Sequence, residues 1–112
     1  MSDCIFCKII AGEIPSKKLY EDEDVLAFWD ISPQAPVHFL VIPKKHISMP
    51  VDITEEDEQV TGKMLRIAAQ LAKEQGVGDR YRVIFNNGKK AGQIVFHLHM
   101  HILGGKEKPW PM

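Results

Sequence analysis

Apolar and polar positions along the chain fall into short runs, and each run predicts an element. Residues 4–11 read as a short helix or turn that ends at Gly12, and Pro15 imposes an extended start on the next segment. Residues 18–21 and 25–30 predict two short strands around the acidic turn Glu21-Asp22-Glu23-Asp24. Two prolines within four positions make residues 31–36 a loop. Residues 37–42 are β-branched and apolar nearly throughout, the pattern of a central strand covered on both faces.

One long helix comes next. Thr54 is placed to cap it, with Asp57 three residues on and Glu55 and Glu56 near its positive end. Val60, Met64, Ile67, Ala68 and Leu71 recur at three- and four-residue steps and form one apolar face, and Gly76 ends the helix. Residues 80–86 then predict a strand, residues 87–92 a turn bearing glycine and lysine, and residues 93–103 a second strand. Strands joined by short turns with one long helix across them predict an α+β domain with a mainly antiparallel sheet.

Composition narrows the class. At 112 residues the chain fits one compact domain, residues 1–112. Its 45% hydrophobic and 26% charged residues are the balance of an ordinary globular protein. A formal net charge of -1 gives no electrostatic case for capture of nucleic acid or an anionic membrane. The apolar runs are too short to span a bilayer, and Met1-Ser2-Asp3-Cys4 lacks the features of a secretory leader, so a cytoplasmic location is expected. In a reducing compartment the pair Cys4-x-x-Cys7 points to metal ligands or a redox couple before a structural disulfide.

The sharpest chemical signal is His97-Leu98-His99-Met100-His101. On a strand, alternate side chains share a face, so the three imidazoles point one way and Leu98, Met100 and Ile102 point into the core. Alternate residues stand about 6.5 to 7 Å apart, too far for three imidazoles on a regular strand to converge on one metal. Imidazoles change charge near neutral pH and serve as nucleophiles or as donors. Phosphoryl transfer needs both an in-line nucleophile and donors around the equatorial oxygens. The turn 87–92 leads into this row and is expected to aim backbone N–H groups at an anion.

The run His97-Leu98-His99-Met100-His101-Ile102-Leu103 resembles the signature of the histidine-triad superfamily. Gly104-Gly105, the segments 30–36 and 39–48, and Trp110-Pro111 are similar to its Hint branch in particular. The resemblance implies a HIT-like fold, with about five strands, one long helix and a short N-terminal helix. It also implies a homodimer that hydrolyses purine nucleoside 5′-phosphoramidates through a nucleotidyl-histidine. On that basis His99 is the nucleophile, a backbone carbonyl on the same strand holds it in the tautomer whose free nitrogen faces phosphorus, and His101 and His38 sit against the α-phosphate as donors. Asp30 matches the ribose-binding position, where a carboxylate accepts two hydroxyl protons. Phe6, Ile9, Phe28 and Ile31 match the apolar wall around the base. Asn86 and the backbone of Gly92, Gln93 and Ile94 match the phosphate and leaving-group side. Eukaryotic Hint proteins often carry serine where this chain has Ile94, so a hydroxyl able to protonate the leaving amine is missing.

The resemblance also bears on the cysteines. Structural zinc takes four ligands, commonly two Cys and two His. Cys4 and Cys7 are joined by His46 and His97 in a set that some bacterial members carry, so a structural zinc is expected, with free thiols and redox cycling as alternatives. Trp110, held between Pro109 and Pro111, is expected near the partner's active site in the dimer. Two other functions compete: hydrolysis of dinucleoside polyphosphates, and a zinc-stabilised nucleotide-binding or scaffolding module.

Overall fold

The computed structural model describes residues 3–111. Its elements match the apolar pattern closely. Helix α1 (Ile5–Ile10) precedes strands β1 (Lys18–Glu21), β2 (Val25–Trp29) and β3 (Val37–Pro43). Helix α2 (Glu58–Glu74) and strands β4 (Tyr81–Ile84) and β5 (Met100–Gly104) complete the order. The strands form one antiparallel sheet in the order β1-β2-β3-β5-β4. This is the expected α+β architecture, with β3 at the centre and buried from His38 to Pro43.

Period-two alternation divides the sheet into two faces. Val25, Ala27, Phe39, Val41, Met100 and Ile102 point to one face, where Met64, Ile67, Ala68 and Leu71 of α2 cover them. Leu26, Phe28, Leu40 and Ile42 point to the other, where α1 contributes the buried Phe6 and Ile9 with Ile10 at their side. A six-residue helix cannot roof a five-stranded sheet. His38 and His101 lie on this thinly covered face, in register with Leu103 and Leu40 of the neighbouring strands.

Local chemistry sets the helix ends. The Asp57 carboxylate accepts the Thr54 N–H at 3.0 Å and the Thr54 hydroxyl at 3.2 Å, and Lys45 Nζ reaches its other oxygen at 2.6 Å. Residues Glu55–Asp57 form a tight 3-10 turn, so regular helix begins at Glu58 rather than at the cap. Gly12 and Gly76 end α1 and the α2 segment with φ of 81° and 80°, the left-handed conformation that favours glycine. No helix among the described residues is long and apolar enough to cross a membrane.

The strand expected over residues 93–103 is shorter, as is the one expected over residues 80–86. In the β3–β5 register Val41 pairs with Met100, so the rung after next would set Pro43 opposite Leu98. Proline has no N–H to give. The ladder stops, and the Leu98 N–H turns instead to the Ile47 carbonyl at 2.6 Å. His97 and His99 therefore lie just outside the strand that carries His101.

Candidate active site and metal centre

His99 is buried to 8% exposure and its orientation is fixed by its own chain. The Nδ1–H donates to the His97 carbonyl at 2.7 Å, and a carbonyl can only accept. The Nε2 of a neutral His99 is therefore left with a free lone pair. Burial pushes this imidazole below its ordinary pKa, against the pull of that carbonyl and of Asp30. The ring is packed edge-on by Phe6 at 5.2 Å and by His101 at 5.0 Å.

His38 and His101 form a relay whose protons can be assigned. The Gln34 N–H donates to His38 Nδ1 at 3.0 Å, so the proton of neutral His38 sits on Nε2. That Nε2–H donates to His101 Nδ1 at 3.0 Å, which places the His101 proton on its own Nε2. Both rings are held below the ordinary histidine range. Burial lowers His38 while Asp30 resists. Burial, then His99 and His38, lowers His101 to about 4. Asp30 Oδ2 lies 3.5 Å from His38 Nε2, and its Oδ1 accepts the Ser32 N–H at 2.7 Å. Asp30, His38 and His101 are close enough to suggest a cation site. The tautomer argues otherwise, because a metal on His38 Nε2 would force a proton onto Nδ1, against the Gln34 N–H.

The expected wall residues divide. Phe6, Ile9 and Phe28 are buried together, with Phe6 and Phe28 edge to face at 5.5 Å. Ile31 and Ile94 project into solvent at 98% and 86% exposure. Asn86 lies against Gly92, whose φ of 106° is left-handed. In the turn, the N–H groups of Ala91, Gly92 and Gln93 donate to the carbonyls of Gly88, Lys89 and Gly88. The Gly88 N–H is taken by the Gln93 side chain at 2.8 Å, and its amide donates to Ser48 and Val95 carbonyls. These four amides therefore hold the turn together rather than facing outward. Gln93, 2% exposed, is the peg.

Beside His99 lies the four-residue cluster Cys4, Cys7, His46 and His97, whose ligand atoms are all within 4.8 Å of one another. The His97 Nε2–H donates to the Pro43 carbonyl at 2.8 Å, so Nδ1 presents its lone pair to Cys4 Sγ at 3.3 Å and Cys7 Sγ at 3.6 Å. His46 Nδ1 is 3.4 Å from Cys7 Sγ. A tetrahedral ion with bonds of about 2.3 Å to sulfur and about 2.0–2.1 Å to nitrogen would separate S and N by about 3.6 Å. The four residues fit a tetrahedral cation. Without one, burial and the Cys4 contact push the Cys7 thiol up to about 11, and a bound cation reverses that preference.

The model of the HIT domain matches residues 11–108. The chain belongs to the HIT-domain family. A HIT-like protein of Synechocystis, itself uncharacterized, is 50% identical over 109 residues, 97% of this chain and 96% of that one. A HIT family hydrolase from Legionella pneumophila superposes with a TM-score of 0.93 at 45% identity, covering 97% of this chain and 98% of that one. A histidine triad protein from Clostridium difficile gives 0.93 at 48% identity, with 100% and 98% covered.

The structure of this HIT-domain protein brings His38, His97, His99 and His101 close together, and the carbonyl expected to orient His99 is that of His97, whereas the groups that orient His38 and His97 were not anticipated. The Gln34 N–H and the carbonyls of Pro43 and His97 set the tautomers of His38, His97 and His99. Backbone groups leave no mark in residue type. The one legible hint is that Pro33 and Pro36 strip the loop of donors, which leaves few amides to meet His38.

Proposed function

We propose that this protein is a nucleotide hydrolase of the Hint type, cleaving purine nucleoside 5′-phosphoramidates through a covalent nucleotidyl-His99 intermediate. The observation that carries the reading is the His99 Nδ1–H bond to the His97 carbonyl, which leaves the Nε2 lone pair for phosphorus. In the first step Nε2 attacks the α-phosphorus, the P–N bond breaks, and the amine departs with a proton taken from solvent water. In the second, water displaces His99 and releases the mononucleotide. His101, its proton held on Nε2 by the His38 relay, is the neutral donor beside the reacting centre. Asp30 retains lone pairs for the ribose hydroxyls, and Phe6, Ile9 and Phe28 supply the wall against the purine. Ile94 and Ile31, exposed without a ligand, border the site and gain cover when the substrate sits.

Zinc is the ion we assign to Cys4, Cys7, His46 and His97, as a structural tie and with no part in bond breaking. Thiolate ligands call for a reducing, cytoplasmic setting. A homodimer is favoured by the open sheet edge at β4, where Val83 and Phe85 are 40% and 36% exposed, and by Leu65 of α2 at 51%. Trp110 is held near this edge by Arg82 and Lys106, at 5.3 and 4.1 Å from its ring.

The test is hydrolysis of adenosine 5′-monophosphoramidate beside diadenosine polyphosphates, with intact-mass detection of the nucleotidylated protein. His99→Ala should lower turnover at least about a thousandfold while AMP still binds. Equal turnover by wild type and His99→Ala refutes the nucleophile, and faster cleavage of the polyphosphates assigns the site to that substrate class instead.

A further inference from the structure

We infer that the Cys4, Cys7, His46 and His97 cluster fixes the ring of His99, with His97 and Phe6 acting as positioning residues. The inference rests on the proposed metal site and on His99 as nucleophile. It gives the metal a second task, beyond tying down the N-terminal segment.

Three observations converge. The first is the double engagement of His97. Its fully buried ring faces the two thiols through Nδ1 and the Pro43 carbonyl through Nε2, while its own carbonyl accepts the His99 Nδ1–H at 2.7 Å. A ring anchored at both nitrogens holds its residue, and so aims that carbonyl.

The second is Phe6, which lies in sequence between the two cysteines. Its ring meets His99 at 5.2 Å and His97 at 5.9 Å, both edge-on. The start of α1 therefore carries two ligands and one wall of the nucleophile's pocket.

The third is what surrounds His99 along the chain. Regular pairing begins only at Met100. Before it the chain is held by the Gln93 amide on the Val95 carbonyl, the His97 ring on the Pro43 carbonyl and the Leu98 N–H on the Ile47 carbonyl. Two of these three restraints come from side chains, the third is a backbone bond on the peptide that carries the His97 carbonyl, and the His97 ring is the one side chain of the two that also faces the thiols. When the cluster is empty, that ring keeps only a weak thiol hydrogen bond at Nδ1 in place of a bond to the metal. The His97 carbonyl then drifts, and His99 samples the tautomer with its proton on Nε2, where no lone pair faces the substrate.

The experiment uses full-length protein labelled with ¹⁵N-histidine, stripped by chelator and titrated with Zn²⁺ alone. Long-range ¹H–¹⁵N spectra report the His99 tautomer, and circular dichroism confirms folding in the same samples. We expect averaged His99 nitrogens in stripped protein and a single Nδ1–H tautomer at one equivalent of Zn²⁺. His46→Ala should fail to make that transition. Stripping should lower kcat on the phosphoramidate roughly ten- to a hundredfold while KM moves less than about threefold, and Zn²⁺ should restore both. Should stripped protein unfold, His46→Ala, which keeps both thiols and the His97 ring, takes its place: that variant should show averaged His99 nitrogens, and a single fixed tautomer in it overturns the inference. Zn²⁺ uptake by folded protein with an unchanged His99 also overturns it, and leaves the hydrolase reading intact. Absence of any Zn²⁺ uptake removes both the metal site and the inference, whereas turnover by His99→Ala defeats the nucleophile alone.

Discussion

Removing the metal should lower the melting temperature by roughly 15 °C, and the size comes from the part of the chain that the cluster holds down. Helix α1 has six residues, far short of what is stable alone in water. Its anchors are the ligands at its start and the burial of Phe6 and Ile9, each 7% exposed. Burying two such side chains stabilises by about 1.5–3 kcal/mol each, so releasing α1 puts about 3–6 kcal/mol at risk. Mass action gives a similar figure, because an ion at a thousand times its Kd stabilises by about 4 kcal/mol. The unfolding entropy of a chain this long, at about 2.1 cal/mol/K per residue, is about 0.24 kcal/mol/K, and 4 kcal/mol then corresponds to roughly 17 °C. Thermal melts by circular dichroism, with metal content measured before and after chelation, check this. Cys7→Ser should melt near the stripped wild type and ignore chelator. A wild type that loses stoichiometric zinc with a shift under about 3 °C refutes the argument, since α1 would then be held by packing alone.

Acid should weaken the fold through His101, whose pKa falls from 6.5 to about 4 mainly by burial. Above pH 6.5 neither state binds its proton. Between about 6.5 and 4 only the unfolded chain does, so stability falls with falling pH, by about 3 kcal/mol at most. Urea midpoints at pH 7.5, 6 and 5 should show a shallower decline in His101→Gln, and equal slopes count against this assignment. Gly104→Ala should cost about 1–3 kcal/mol in urea unfolding, because its Cβ would stand 2.8 Å from Val77 Cγ2 and 3.1 Å from Tyr81 Cβ; an unchanged midpoint means the Val77 loop yields freely. Asp57→Ala should cost about 1–2 kcal/mol by undoing the cap and leaving Lys45 without its closest partner; the same urea assay reads it, and a loss under 0.5 kcal/mol, on the order of scatter, shows that the cap is dispensable.

Much of the fold was legible because burial is written in periodicity. The α2 face from Val60 to Leu71 and the apolar run of β3 lie where their patterns put them. The alternation at residues 97–101 correctly separated imidazoles from core, since Leu98, Met100 and Ile102 pack beneath α2. It did not reveal where pairing ends. That is decided by Pro43, more than fifty residues away in sequence, which opposes Leu98 without an N–H to offer. The metal-ligand set was reached through resemblance, and the geometry agrees with it. The protonation of His38 and His101 could not be read from residue types at all, because it descends from one backbone amide at Gln34. Side-chain identity nominates a site; main-chain hydrogen bonds decide which nitrogen carries the hydrogen.

Residue 97 belongs to two sites at once, its ring to one and its carbonyl to the other. Losses measured for Cys7 and for His99 should therefore fail to add in a double-mutant cycle. A lineage shedding the cysteines must also find a new restraint for this peptide before it loses the old one, so the order in which such substitutions accumulate is constrained. Any redesign of the ion site is, through this one residue, also a redesign of the reaction.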